Sequence, residues 1–328
     1  MTNIAVIGGA GFVGSRLKDR FNLGKLNYTI YDINLLNSEE DVNYLDVEKV
    51  NSLDQLKDTD IIINLAAEHR DDVWPISRYD NVNVQGAMNL CEVARKFDIK
   101  KIIFTSSVAI YGFAPAETDE TGEPKYFNDY GRTKYLAEQV FKEWQNESPG
   151  DRTLVIIRPT VIFGEGNRGN VYNLFNQIAS RKFVMVGGGE NIKSMAYVEN
   201  IVAFLEFSLF FNAGLHIYNY IDKPDFNMNK LVSEVRKTLF NKNNVGLRIP
   251  SILGLFLGYI ADIAAKLIRR PLPISSIRIK KFLATTQFSS SLNETGFKPP
   301  VSLEDGLART LHYEFLEDNS IKRTFKTE

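Results

Sequence analysis

The chain has 328 residues, 44% of them hydrophobic, with 39 basic against 40 acidic side chains and a formal net charge of -1. That length buries a core large enough for one big domain or two coupled ones, and the balanced charge excludes a global field for nucleic acid. One cysteine, Cys91, excludes an internal disulfide and fits a reducing compartment, while His69, His216 and His312 are too scattered to suggest a metal site.

Asn3 to Ile7 is a short apolar run with no basic region before it, so it reads as a strand and not as a signal peptide. It leads into Gly8-Gly-Ala-Gly-Phe-Val-Gly14 and then a helix-compatible segment, the arrangement that receives a pyrophosphate. Gly8 permits the tight turn, Gly11 lets the backbone approach the phosphates and Gly14 allows close helix packing. The helix N-terminus, with Phe12 and Val13, faces the anion. The spacing Gly-x-x-Gly-x-x-Gly is one residue longer in its first gap than the dehydrogenase fingerprint. Tyr28 to Asp32 reads as the second strand and ends in an acid about twenty residues past the glycines, where a carboxylate accepts from ribose hydroxyls and repels a 2′-phosphate. Asp32 therefore favours NAD over NADP, and Asp46-Val47 is a candidate for the adenine edge.

Asp60 to Leu65 is a continuous apolar strand, and Leu65, Ala66 and Ala67 leave room for a cofactor at the sheet's carboxyl edge. Glu68-His69-Arg70-Asp71-Asp72 is either a solvated turn or a polar substrate wall. Val84, Ala87, Met88, Cys91 and Ala94 recur at helical spacing and predict a helix covering the sheet, with Cys91 buried. Lys101 to Thr105 reads as a fourth strand, with Thr105-Ser106-Ser107 at the ligand-binding edge. A long loop from Phe113 to Asn128 precedes a helix through Leu136, Val140 and Trp144. In it, Tyr130 and Lys134 lie one turn apart on one face, where an ammonium favours the phenolate of its neighbour. Leu154 to Ile157 is a fifth strand, stopped by Pro159.

Alternating strands and helices predict an α/β, doubly wound parallel sheet of the Rossmann kind with a smaller C-terminal α/β substrate domain. The expected boundaries are 1–158 for the nucleotide half, joined by 196–214, and 159–195 with 215–328 for the substrate half. Within the latter, Val171 to Ser180 reads as a helix. Ile252 to Ile268 is strongly apolar but short for a spanning helix. Six basic residues, Lys266, Arg269, Arg270, Arg278, Lys280 and Lys281, follow with no acidic one between. This segment, 252–281, is either a membrane-interface element or a core helix with a basic rim.

Gly8, Gly11, Gly14, Asp32, Ser107, Tyr130 and Lys134 together resemble the extended short-chain dehydrogenase/reductase family. Four longer runs narrow the likeness: Leu65-Ala-Ala-Glu-His-Arg-Asp-Asp72, Phe104-Thr-Ser-Ser-Val-Ala-Ile-Tyr-Gly112, Ile157-Arg-Pro-Thr-Val-Ile-Phe-Gly164 and Lys193-Ser-Met-Ala-Tyr-Val-Glu-Asn200. They are similar to the sugar 4-epimerases, above all to the bacterial polyprenyl-diphosphate-linked N-acetylglucosamine 4-epimerases of O-antigen assembly. The resemblance implies NAD as cofactor, Tyr130 as acid/base, Lys134 on the nicotinamide ribose and Ser107 on the reacting sugar oxygen. It implies cofactor contacts from Gly8, Gly11, Phe12, Val13, Gly14, Asp32, Asp46, Val47, Leu65, Ala66, Ala67, Thr105, Tyr130, Lys134 and Pro159, and substrate contacts from Glu68, His69, Ser107 and Lys193.

Nucleotide-sugar epimerases usually carry Asn where this chain has Val161 and Arg where it has Lys193. A lysine offers only a point charge to a diphosphate, which weakens the case for a clasped UDP group and favours a lipid carrier. The expected substrate is therefore a lipid-linked amino sugar, epimerised between N-acetylglucosamine and N-acetylgalactosamine through a 4-keto intermediate by a peripheral homodimer. The place would be the cytoplasmic face of the bacterial inner membrane, the dimer forming through Val84 to Phe97 and Tyr130 to Trp144. The alternatives are a UDP-N-acetylglucosamine or UDP-glucose 4-epimerase, a nucleotide-4-keto-sugar reductase, and an NAD-sensing binding protein. Neither nucleic acid nor metal is expected.

Overall fold

The structure, a computed structural model, describes residues 2–35, 42–70, 73–268, 275–319, 323–325 and 327. Runs of branched apolar residues, buried on both faces, build a wholly parallel sheet. It contains β1 (Ile4–Ile7), β2 (Tyr28–Asp32), β3 (Val42–Tyr44), β4 (Ile61–Asn64), β5 (Lys101–Thr105) and β6 (Thr153–Pro159). After β7 (Val161–Phe163), β8 (Met185–Val186) and β9 (Ile192–Tyr197), the chain returns to it with β10 (Gly214–Tyr220). The order is β10-β6-β5-β4-β1-β2-β3, so the winding reverses between β1 and β4, and a ligand crevice belongs at the carboxyl ends there.

Helices cover both faces. On one side α1 (Phe12–Gly24) supplies Leu17 and Phe21 to a core shared with α6 (Val198–Phe207). On the other, α2 (Ser77–Tyr79) runs through a π-helical stretch into α3 (Gly86–Lys96), which packs with α4 (Asp129–Asn146) around Leu90, Cys91, Phe141 and Trp144. Burial pushes the Cys91 thiol up to about 12, leaving it inert at neutral pH.

The remaining chain builds the smaller part. It holds α5 (Asn170–Ala179) and a three-stranded sheet of β7, β9 and β11 (Asp222–Asn227), followed by α7 (Met228–Phe240). Next, β12 (Arg248–Ile249) pairs with β8 and leads into α8 (Ser251–Ile268), α9 (Ser276–Leu283) and finally α10 (Leu303–Phe315).

Several expectations change. β3 adds a strand that three half-polar residues did not announce, making Lys101–Thr105 the fifth. Residues 215–220, expected in the substrate half, complete β10, because the segment pairs with β6 over seven residues from Gly214 to Tyr220. Met88 is 43% exposed and Val84 only half-buried, since the preceding π-helical stretch, Asp80–Gln85, turns the buried face of α3 onto Ala87, Leu90, Cys91, Val93 and Ala94. The alternative of a core helix for 252–268 fails: in α8, Gly254 and Gly258 are the buried positions, and Ile252, Phe256, Ile263 and Leu267 are exposed. Asp71, Asp72, Arg269 and Arg270 lie outside the described residues.

Candidate active site

At the carboxyl ends of the sheet lies a cavity of about 700 Å³. The glycine turn forms one end. Gly8 sits at φ +76°, and a Cβ there would fall 2.6 Å from the Ala66 nitrogen, so the turn and the end of β4 can meet only without a side chain. At Gly14 a Cβ would lie 2.4 Å from the Gly9 oxygen, which lets α1 start hard against the turn. Gly11 differs, because a Cβ there would meet only the Gly8 oxygen, at 3.3 Å, and its backbone lines the open cavity. The first turn of α1 carries no acidic side chain, so its amides and dipole remain available to an anion.

Asp32 ends β2 at this wall, with Oδ2 accepting from the Ala10 amide at 3.0 Å and Oδ1 from the Asn34 amide at 2.9 Å. Asp46, Val47, Leu65, Ala66, Ala67, Thr105 and Pro159 line the same space, as do Phe12 and Val13. The buried Thr105 Oγ1 has no hydrogen-bond partner among the described residues. The bare backbone at Gly11, the free helix N-terminus and this orphaned hydroxyl fit an extended dinucleotide whose pyrophosphate rests on α1. Among the described residues no group of three His, Cys, Asp or Glu side chains is placed to hold a metal ion.

The structure brings Ser107, Tyr130 and Lys134 together by a backbone contact. Asn128 caps α4, its Oδ1 accepting from the Gly131 amide at 3.0 Å. A Cβ on Gly131 would fall 2.4 Å from the Ala109 oxygen, so the start of α4 lies directly on the short 3₁₀ turn capped by Ser107. Tyr130 hydrogen-bonds to Ser107, and that bond lowers a phenol pKa which burial, the larger effect, raises. Lys134 is 1% exposed, its ammonium 4.2 Å from the Phe104 ring centre. Burial pushes Lys134 down to about 7, with the Glu138 carboxylate pulling the other way.

Behind this trio, Glu138 is fully buried and accepts from Ser106 Oγ at 2.5 Å and from Arg158 at 2.9 and 2.7 Å. Arg158 also donates to the Tyr111 hydroxyl at 2.6 Å. The network ties together the residue before Ser107, the turn after Lys134 and the residue before Pro159.

Glu68 and His69 also line the cavity, with Glu68 paired to Arg78 at 3.3 Å. Lys193 does not line the cavity; its neighbour Ser194 does. The Lys193 ammonium instead donates to the backbone oxygens of Lys281 at 2.9 Å and Ala284 at 2.6 Å, and burial lowers its pKa to about 8. Sequence reasoning also passed over Asn167, Asn170, Thr286, Phe288 and Thr327, which line the wall. They come from separated loops, isolated bridges and the start of α5, and no local pattern marks them.

Residues 4–219 match the NAD dependent epimerase/dehydratase family. The chain is 47% identical, over 99% of both proteins, to the N-acetyl-alpha-D-glucosaminyl-diphospho-ditrans,octacis-undecaprenol 4-epimerase of Escherichia coli O157:H7. It is 25% identical to the UDP-glucose 4-epimerase of Vibrio cholerae, over 97% of both. Among solved structures, a UDP-glucose 4-epimerase of Thermotoga maritima with UDP-glucose superposes with a TM-score of 0.76 at 21% identity, covering 96% of this chain and all of that one.

Proposed function

The chain belongs to the NAD dependent epimerase/dehydratase family, and from that premise we propose that it is a 4-epimerase interconverting N-acetylglucosamine and N-acetylgalactosamine on an undecaprenyl diphosphate carrier. The observation that carries this reading is the 47% identity over nearly the full length of an enzyme named for that lipid-linked sugar. Val161 and Lys193 agree with it. Val161 puts an apolar side chain on the cavity wall, and the Lys193 ammonium is taken up by the carbonyls of Lys281 and Ala284.

Bound NAD would supply the chemistry of a hydride acceptor for carbon 4 and, once reduced, of the donor to its opposite face. Its binding is assigned to the glycine turn, Asp32, Asp46, Val47, Leu65, Ala66, Ala67, Thr105 and Pro159, with Lys134 on the ribose. Ser107 Oγ holds the sugar's 4-oxygen beside the Tyr130 hydroxyl. The Tyr130 oxygen takes the proton of the 4-hydroxyl as the ketone forms and gives it back as the new alcohol forms. Lys134 nearby supplies the positive charge that offsets phenolate formation. Glu68 and His69 are assigned to the substrate end. Residues 1–159 with 196–220 form the nucleotide half, which also carries Ser107, Glu68 and His69, and the remaining segments form the substrate half.

The reading extends to a peripheral homodimer at the cytoplasmic face of the bacterial inner membrane. The exposed apolar face of α8 supports the first part, and Met88 and Leu136, exposed on the packed helices α3 and α4, support the second. Incubating the protein separately with undecaprenyl-diphosphate-linked and UDP-linked N-acetylglucosamine and separating the two epimers tests the substrate. Conversion of the lipid-linked sugar without consumption of added NADH is expected; turnover of the UDP-linked sugar alone would reject the lipid carrier.

A further inference from the structure

α8 turns Gly254 and Gly258, its two buried positions, toward the protein. A Cβ at Gly254 would fall 2.4 Å from a Val186 methyl carbon, and one at Gly258 would fall 2.9 Å from both Ile279 and the Ser276 backbone. Those contacts seat the helix flat against β8 and α9. Its other side carries Ile252 at 81%, Phe256 at 60%, Ile263 at 62% and Leu267 at 79% exposure, with a mean hydropathy of 1.7 over the helix. An isolated exposed leucine is ordinary, but a continuous apolar helix face is not.

Charge on this hairpin is one-sided. Lys266, Arg278, Lys280 and Lys281 are the cations of α8 and α9, and Lys280 lies 5.4 Å from the Tyr259 ring centre. Asp262, the acid of α8, is turned inward, its carboxylate accepting from the Ser276 amide at 3.2 and 3.3 Å. Apolar surface edged by cations complements a bilayer with anionic headgroups, since acyl chains take the first and phosphates the second. Eighteen helical residues are about 27 Å long, close to the hydrocarbon thickness, yet the glycine contacts hold α8 along the protein surface. A helix seated this way offers its apolar side along the protein surface.

The same hairpin forms part of the cavity wall. Lys281, on α9, lines the cavity, and so does Thr286 just beyond it. Lys193 grips the backbone at Lys281 and Ala284, and Thr286 exchanges hydrogen bonds with β9, donating to the Ile192 oxygen and accepting from the Ser194 amide, both at 2.9 Å. The apolar face and the cavity rim therefore belong to one braced unit.

We propose that α8 and α9 dock the enzyme on an anionic bilayer and that the cavity is loaded from this side, Lys281 meeting the diphosphate of a substrate whose isoprenoid tail stays in the lipid. The loading route rests on the lipid-linked substrate assigned above; the docking surface does not. It depends on the exposed side chains, so Ile252→Ser, Phe256→Ser and Ile263→Ser are combined in one variant. These positions are solvent-facing and leave the glycine contacts intact.

Flotation is measured with phosphatidylcholine vesicles, with and without phosphatidylglycerol, and epimerisation with two substrates: the undecaprenyl-linked sugar embedded in vesicles and a short-chain, water-soluble isoprenyl analogue. The wild type should float with anionic vesicles and less with neutral ones. The variant should lose flotation and turn over the embedded substrate at least about tenfold more slowly, while its rate on the soluble analogue stays within about twofold. Equal rates of wild type and variant on the embedded substrate would overturn the loading route. A wild type that does not float, or whose sedimentation mass falls in the variant with no vesicle binding by either, would overturn the docking surface and mark the face as a protein contact. Turnover of UDP-linked sugar alone would overturn the substrate and the loading route together, and flotation would then decide the docking surface by itself.

Discussion

Lys134 carries its ammonium into a site where burial pushes its pKa down to about 7 and Glu138, one turn on, opposes the shift. Between that value and the ordinary lysine value near 10.5 the unfolded chain binds more protons than the folded one, so stability rises with pH through this window. Lys134→Met should flatten that rise, seen in urea midpoints taken at pH 7 and pH 9; an equally steep rise in the variant would place the titration elsewhere. In the proposed reaction Tyr130→Phe removes the proton acceptor and keeps the ring, so turnover should fall about 10²- to 10⁴-fold with bound NAD retained, measured by cofactor release on denaturation. Full activity would displace Tyr130 from that role. At this scale the sequence was readable where chemistry depends on spacing. Gly8, Gly11 and Gly14, Asp32 and the Tyr130–Lys134 pair all line the cavity, because short-range geometry puts them at strand ends and on one helix face. Lys193 was misdirected for the converse reason, since its partners, Lys281 and Ala284, lie some ninety residues away and only folding brings them near.

Elements differ in how plainly they announce themselves. β4, β5 and β6 are short runs centred on branched apolar residues buried on both faces, the pattern of a strand inside a parallel sheet. β3 has three residues and little burial, and β10 mixes His216 and Asn219 with apolar residues, so each is stabilised by a partner strand more than by its own pattern. The contact between α4, β5 and β6 has a polar centre, Glu138 against Arg158, with the two side chains 0% and 4% exposed. Glu138→Leu leaves the guanidinium buried without its counter-charge and should cost about 3–5 kcal/mol of stability. Adding Arg158→Met to that variant should restore much of the loss. Urea denaturation of the single and double variants checks this, and additive losses would show that the pair is not coupled.

For the molecule as a whole, α3 and α4 form a packed outer pair with Met88 and Leu136 exposed at 43% and 37%. If these helices make the proposed homodimer, Met88→Glu with Leu136→Glu should halve the mass seen by sedimentation while the isolated chain keeps its far-ultraviolet spectrum; an unchanged mass would remove this pair from the interface. The sequence offered the apolar stretch 252–268 but not its setting, because hydropathy is blind to which side of a helix faces its own protein. The two glycines decide that, through Val186 and Ile279. The C-terminal segment adds a contact over a still longer distance. Arg323 donates to the Ala10 oxygen at 2.7 Å across 313 positions of sequence, Phe325 pairs with Gly166 and Arg168, and its ring lies 5.7 Å from that of Phe12. During translation the glycine turn leaves the ribosome 313 positions ahead of Arg323, when counted from Ala10. A nascent chain can form β1 and the turn early, but the outer support of that turn waits for residues made much later.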